Sequence, residues 1–225
     1  MEETKSMSIT SLIAIPALIT LAITILRLVG ELEHWPKPWF STVAGGGLAI
    51  VGISWLPIIF GPYFAVKLAG AGDAPSSFGK PIGLALAGLL VLILGGVVAG
   101  VSATTKHPNL AVVGFLVMLA AAFVARIGWR SFGNVLLAYG FAARIPVLIV
   151  MLIAMLGNGG RGWGTHYDVI PPNFPYHTFA SKFFYTALVP QMTLWIGWTV
   201  VVGTIFGASA VAIGHRGKQA VPAAV

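Results

Sequence analysis

One arginine stands alone in apolar sequence. Arg144 lies about ten residues into the run 134–156, and at 1.5 Å per helical residue that carries it about 15 Å inward, close to the centre of a bilayer. A guanidinium cannot shed its charge and is costly in hydrocarbon unless something bonds it. The six acidic residues stand at positions 2, 3, 31, 33, 73 and 168, all in predicted loops or ends, so no carboxylate of the chain is expected beside it. Within the chain its candidate partners are the side chains of Ser54, Tyr139 and Gln191, and the carbonyls freed around Pro57 and Pro62, with Gly61 between those prolines. Outside the chain they are a partner subunit, an anionic small molecule or a lipid headgroup.

A second set of reactive side chains falls in the stretch 157–182, where Gly-Asn-Gly-Gly-Arg-Gly-Trp-Gly-Thr-His166-Tyr-Asp168 is followed by three prolines before His177. Glycine and proline punctuate it too heavily for regular structure, so a surface loop of about 25 residues is expected, a length that often carries function. Glu31, Glu33 and His34 leave the first apolar run on the same face as His166 and Asp168. Imidazole with carboxylate could hold zinc or act as a general base. The sequence has no HExxH, no repeated metal spacing and no serine elbow, so local hydrogen bonding is the simpler expectation for these groups.

Other chemistry is excluded or disfavoured. With no cysteine there is no thiolate catalysis, Fe–S cluster or cysteine zinc site. All five histidines (His34, His107, His166, His177 and His215) fall in predicted loops or at ends, which argues against an axial ligand for a tetrapyrrole, and no cofactor is expected. The absence of Asp and Glu from the apolar runs disfavours a proton relay. Arg144 apart, the basic residues are scattered singly near helix ends rather than gathered in a stripe, so they read as membrane anchors and no nucleic-acid partner is expected.

The elements that must position these residues follow from composition. Of 225 residues only 8% are charged against 57% hydrophobic, and the mean hydropathy is +0.92, which excludes an ordinary water-soluble fold. About 20 apolar residues span a bilayer, and six runs qualify: 8–30, 43–68, 81–101, 110–127, 134–156 and 183–213. The prediction is an all-α, polytopic membrane protein in one domain with six transmembrane helices, the second and fifth kinked. The first run is too long for the apolar core of a signal peptide and lacks a cleavage site before Glu31, so a retained helix is expected. Pro190 predicts either a bend near the start of the over-long last run or a short interfacial segment from Phe183 to Val189.

Six spans put both termini on one side. Lys5, Lys67, Lys80, Arg126, Arg130, Arg216 and Lys218 fall on that side, against Arg27, Lys37, Lys106, Arg161 and Lys182 opposite, which predicts cytoplasmic termini. Trp35, Trp39, Trp163, Tyr167 and Tyr176 suit an aromatic belt on the other face.

Packing signals are glycine and proline. Gly96-Val-Val-Ala-Gly100 and Gly203-Thr-Ile-Phe-Gly207 each set two glycines on one helical face, where backbones can approach closely. Pro57 and Pro62 in the second run and Pro146 in the fifth would interrupt helices at matching positions if the protein were two inverted halves, a pattern seen in transporters. Three functions follow as expectations. The first is a non-catalytic accessory or scaffold subunit of a larger membrane complex. The second is a small transporter or anion- or lipid-binding protein with its site between spans two and five. The third is a membrane enzyme using His166, Asp168 and Glu31.

Overall fold

The computed structural model describes residues 8–47, 49–105, 107, 109–171 and 178–219. Lys5, Lys106, Tyr176, His177 and the extreme chain ends lie outside them, as do the side chains of His215, Arg216 and Lys218, so the count of basic residues that orients the termini falls partly outside the described residues.

Among the described residues eight α-helices run in chain order: α1 (Ile9–Leu32), α2 (Pro57–Gly70), α3 (Gly79–Thr105), α4 (Asn109–Gly128), α5 (Arg130–Gly160), α6 (Phe179–Phe183), α7 (Val189–Met192) and α8 (Leu194–Gln219). Among the described residues five helical stretches are long and apolar enough to cross a membrane: α1, α3, α4, α5 and the composite Phe179–Gly214, with α2 a shorter apolar helix. Large apolar side chains point outward all round, among them Leu18, Leu90, Val97, Ile149 and Ile213. An apolar exterior of that kind suits lipid and not water. The chain is therefore a helical membrane protein with about six spans.

α8 is the centre of the bundle and packs against α2, α3, α4 and α5, while α1 lies against α5. Glycine sets the closest approaches. A Cβ on Gly61 of α2 would strike the backbone of Gly203, one on Gly203 would strike the Leu136 side chain, and one on Gly207 would strike the Phe132 ring and the Gly61 carbonyl, so the Gly203/Gly207 face is filled by the α2 backbone together with Leu136 and Phe132 of α5. In α3 the close contact is made by Gly95, not by the expected Gly96/Gly100 pair: Gly95 and Ala99 pack on Gly114 of α4, whereas Gly100 faces open space. The Gly95-to-Ala99 spacing is the same small-residue pattern displaced by one position.

Three expectations are corrected. The run 43–68 is not one helix: α2 begins only at Pro57, and its 14 residues cover about 21 Å, short of a bilayer core of about 30 Å. Upstream lies an irregular strap, which opens with the 3₁₀ turn Ala44–Gly46. Gly45, Gly46 and Gly47 take φ of 74°, 83° and 55°, values that a helix cannot absorb, and Pro57 sits at the first helical position where its missing N–H does no harm. Secondly, α5 stays helical through Pro146 and leaves helical geometry only at Gly157, Asn158 and Gly159, so the interruption lies at the end of the helix and not beside Arg144. The matched interruptions of spans two and five are therefore absent among the described residues. Thirdly, the last span breaks at Thr193 (φ −123°, ψ −74°), after a π-helical turn at Phe184–Leu188, rather than at Pro190 itself. Pro190 sits in the first turn of α7, where a helix tolerates it.

Candidate functional site

α1 carries a polar stripe. Thr20, Thr24, Arg27 and Glu31 recur at intervals of three and four, so they share one face, and that face is the buried one. Each is satisfied. The Thr20 hydroxyl pairs with the Tyr139 hydroxyl of α5 at 2.8 Å, and the Thr24 carbonyl accepts from the Tyr167 hydroxyl at 3.1 Å. Arg27 donates from Nε to Glu31 at 2.9 Å and from Nη2 to the Gly46 carbonyl at 2.6 Å and the Ser41 carbonyl at 3.3 Å, which ties the strap to α1. Glu31, 2% exposed, also accepts from the backbone N–H of His166 at 2.8 Å and faces its Nδ1 at 2.8 Å. The loop is thereby tied to the same helix.

Asp168 turns inward on its own loop, accepting from the N–H of Gly164 at 2.9 Å, the N–H of Thr165 at 2.8 Å and the Thr165 hydroxyl. Glu33 closes α1, and the exposed His34 follows it in a left-handed conformation (φ 53°). Of the five residues considered for a metal, the structure brings together Glu31 and His166. Among the described residues no group of three or more His, Asp or Glu side chains is placed to hold an ion. Burial holds the His166 imidazole below its usual range, an effect opposed by its bond to Glu31, and burial pushes the Tyr167 phenol up.

Arg144 is 4% exposed, and its surroundings differ from those of Arg27. Nη1 donates to the Gln191 amide oxygen at 3.5 Å, a long bond, and the guanidinium lies over the Trp195 ring with its carbon 4.5 Å from the ring centroid. Gln191 is itself held by a contact from Nε2 to the Met151 sulfur at 3.6 Å. Nε of Arg144 is buried and has no hydrogen-bond acceptor. Among the described residues the ion pairs are those of Glu31 with Arg27 and with His166, so no carboxylate answers Arg144.

Arg144 and Gln191 line a cavity of about 430 Å³ that reaches past Val147 and Met151 to Arg27, His166 and Tyr167, with Ser54 and the strap glycines Gly45 and Gly47 in its wall. Of the residues expected to serve Arg144, Gln191 and Ser54 line this cavity. Pro57, Gly61 and Tyr139 do not: Pro57 starts α2, Gly61 seats α8, and Tyr139 packs between Phe60 and Phe64 with its hydroxyl on Thr20. The expectation missed Arg27, Trp195 and Tyr167. The Arg27–Glu31 pair had a legible signal, an i,i+4 spacing of opposite charges. No family model, curated protein or solved structure gives a match to the chain.

Proposed function

We propose that this membrane protein binds an anionic ligand within the bilayer, in the cavity between α1, α5, the strap and the α7–α8 junction, with Arg144 as the anchor. One observation carries the reading: a permanent cation is buried with one long bond to a neutral amide, a ring beneath it and an unanswered Nε. Buried charges are ordinarily paired, and an unpaired one is a mark of function in a membrane. A cavity of 430 Å³ lies within the range of small-molecule sites, about 300–1,000 Å³. The basic residues of the loops favour cytoplasmic termini, with the Arg27 end of the cavity on the opposite face. The same site would serve a carrier or a lipid-binding protein.

The test is native mass spectrometry of the full chain released from membranes, wild type beside Arg144→Gln. An anionic adduct on the wild type that the variant lacks is the expected result. Absence of any retained or added anion on the wild type would sink the reading.

A second reading, an accessory subunit of a membrane complex, is favoured by Gly100, whose open face on α3 leaves room for a partner helix. It predicts a native assembly much heavier than 23.6 kDa. A monomer in mild detergent would remove it.

A further inference from the structure

Arg144 and His166 each present an unbonded nitrogen to the cavity, and the two nitrogens differ in kind. On Arg144 it is Nη2: Nε is buried and Nη1 is bonded to Gln191, whereas Nη2 has no acceptor among the described residues and keeps accessible surface. On His166 it is Nε2. The Glu31 carboxylate can only accept, so the Nδ1 atom 2.8 Å from it carries the hydrogen and Nε2 keeps its lone pair. Nε2 has no bonding partner among the described residues, and the His166 side chain, 15% exposed, lines the cavity. The first nitrogen belongs to a permanent cation and the second is a base. The sequence disfavours a proton relay for want of carboxylates in the spans; the acceptor here is a loop imidazole, oriented by a carboxylate at the end of α1.

The groups around His166 set what a proton there costs. From α1 come Arg27 and Glu31, from its own loop Asp168 and the Tyr167 phenol, from the π-helical turn Tyr185, and from α5 across the cavity Arg144, while the strap 43–56 carries no ionisable side chain. Burial holds the imidazole below its usual range; the bond to Glu31 and the charge of Asp168 oppose that, and Arg27 adds to it. Arg144 repels a proton from further off. Tyr167, next to His166, packs in one cluster with Val147 and Met151, and Met151 stands seven residues from Arg144, about 10 Å of helix at 1.5 Å each. At that range, with an effective dielectric constant of about 20, one unit charge changes a proton affinity by about tenfold. An anion seated on Arg144 removes this repulsion.

We infer that the cavity takes its anion together with a proton, the anion held at Arg144 and the proton at Nε2 of His166. The inference rests on the anion-binding reading above and specifies what accompanies the anion. Neutral His166 offers the cavity a lone pair, which repels an anion; once protonated, the same nitrogen is a charged donor in the wall. The coupling is reciprocal, so the bound anion raises the affinity for the proton by the factor by which the proton raises the affinity for the anion. The proton comes from water. A monoanion and a proton together add no net charge to the cavity, so a carrier built on this site moves them without work against the membrane potential.

The experiment follows the His166 imidazole by NMR in the full chain, histidine-labelled and held in nanodiscs, with His166→Gln identifying its resonance. Octanesulfonate is the probe, because a sulfonate keeps its single charge throughout a histidine titration, and empty nanodiscs are the blank for partition into lipid. Saturating octanesulfonate is expected to raise the His166 midpoint by about one pH unit, and Arg144→Gln without any anion to raise it in the same direction. The sulfonate should also bind the wild type at least threefold tighter at about pH 5 than at about pH 8, a dependence that His166→Gln should lose. A midpoint unmoved by bound sulfonate, or equal affinity at both pH values, would overturn the inference while leaving the anion site in place. Where the sulfonate does not bind, Arg144→Gln decides the coupling, and a midpoint that fails to rise in it overturns the inference. If that variant does not insert, the sulfonate titration of the wild type decides instead. A wild type that neither retains nor takes up any anion removes the function proposed above, and this inference with it.

Discussion

Two arginines are buried in this protein to nearly the same extent, Arg27 at 8% exposure and Arg144 at 4%, yet their surroundings have opposite character. Arg27 has a carboxylate four residues on and two backbone carbonyls, and through them it joins α1, the strap and the 157–171 loop into one unit. Arg144 has a distant amide, an aromatic face and an orphan donor. The difference teaches where to look for function in a sequence with few charges: a satisfied cation is part of the scaffold, and an unsatisfied one awaits something from outside.

Substitutions can break this contrast or sharpen it. The largest effect is expected from Glu31→Gln, which leaves Arg27 buried without its counter-ion and weakens the tether to His166. A loss of about 3–5 kcal/mol in unfolding free energy is expected, read by denaturant titration in detergent. Arg144→Met should act with the opposite sign on the ligand-free protein. Removing a cation that nothing answers should stabilise it by about 1–2 kcal/mol, and a destabilisation equal to that of Glu31→Gln would make Arg144 a scaffold residue after all.

Helix packing supplies a control of known geometry. Gly61→Ala drives a methyl group into the Gly203 backbone and should cost about 1–3 kcal/mol, while Gly100→Ala, facing open space, should cost nothing or add stability. The smallest effect concerns pH. Because the His166 imidazole is held below its usual range, the folded protein binds fewer protons than the unfolded chain as pH falls below about 6.5, so stability declines on acidification through that range. His166→Gln should flatten that decline, as followed by thermal unfolding at pH values on either side of it.

The spans were legible because twenty apolar residues in a row need no knowledge of their neighbours. The strap was not: 43–56 is as apolar as a helix, and hydropathy cannot separate a helix from irregular backbone that lines a cavity. The run of three glycines before Pro57 was the readable sign. Depth alone put Gln191 on a short list of partners for Arg144 beside Ser54 and Tyr139, whereas Trp195 was not on it, since it follows the break at Thr193 and no pattern in the sequence announces that break. The bond between Glu31 and His166 spans 135 positions, and only the surplus of polar groups at both ends hinted at it.

The short α2 has one more consequence. A full helix would answer its own peptide groups, whereas the strap hands carbonyls to side chains: Ser41 and Gly46 to Arg27, Ile50 to the Trp55 indole and Ser54 to the Trp198 indole, so its shape depends on those donors staying in place.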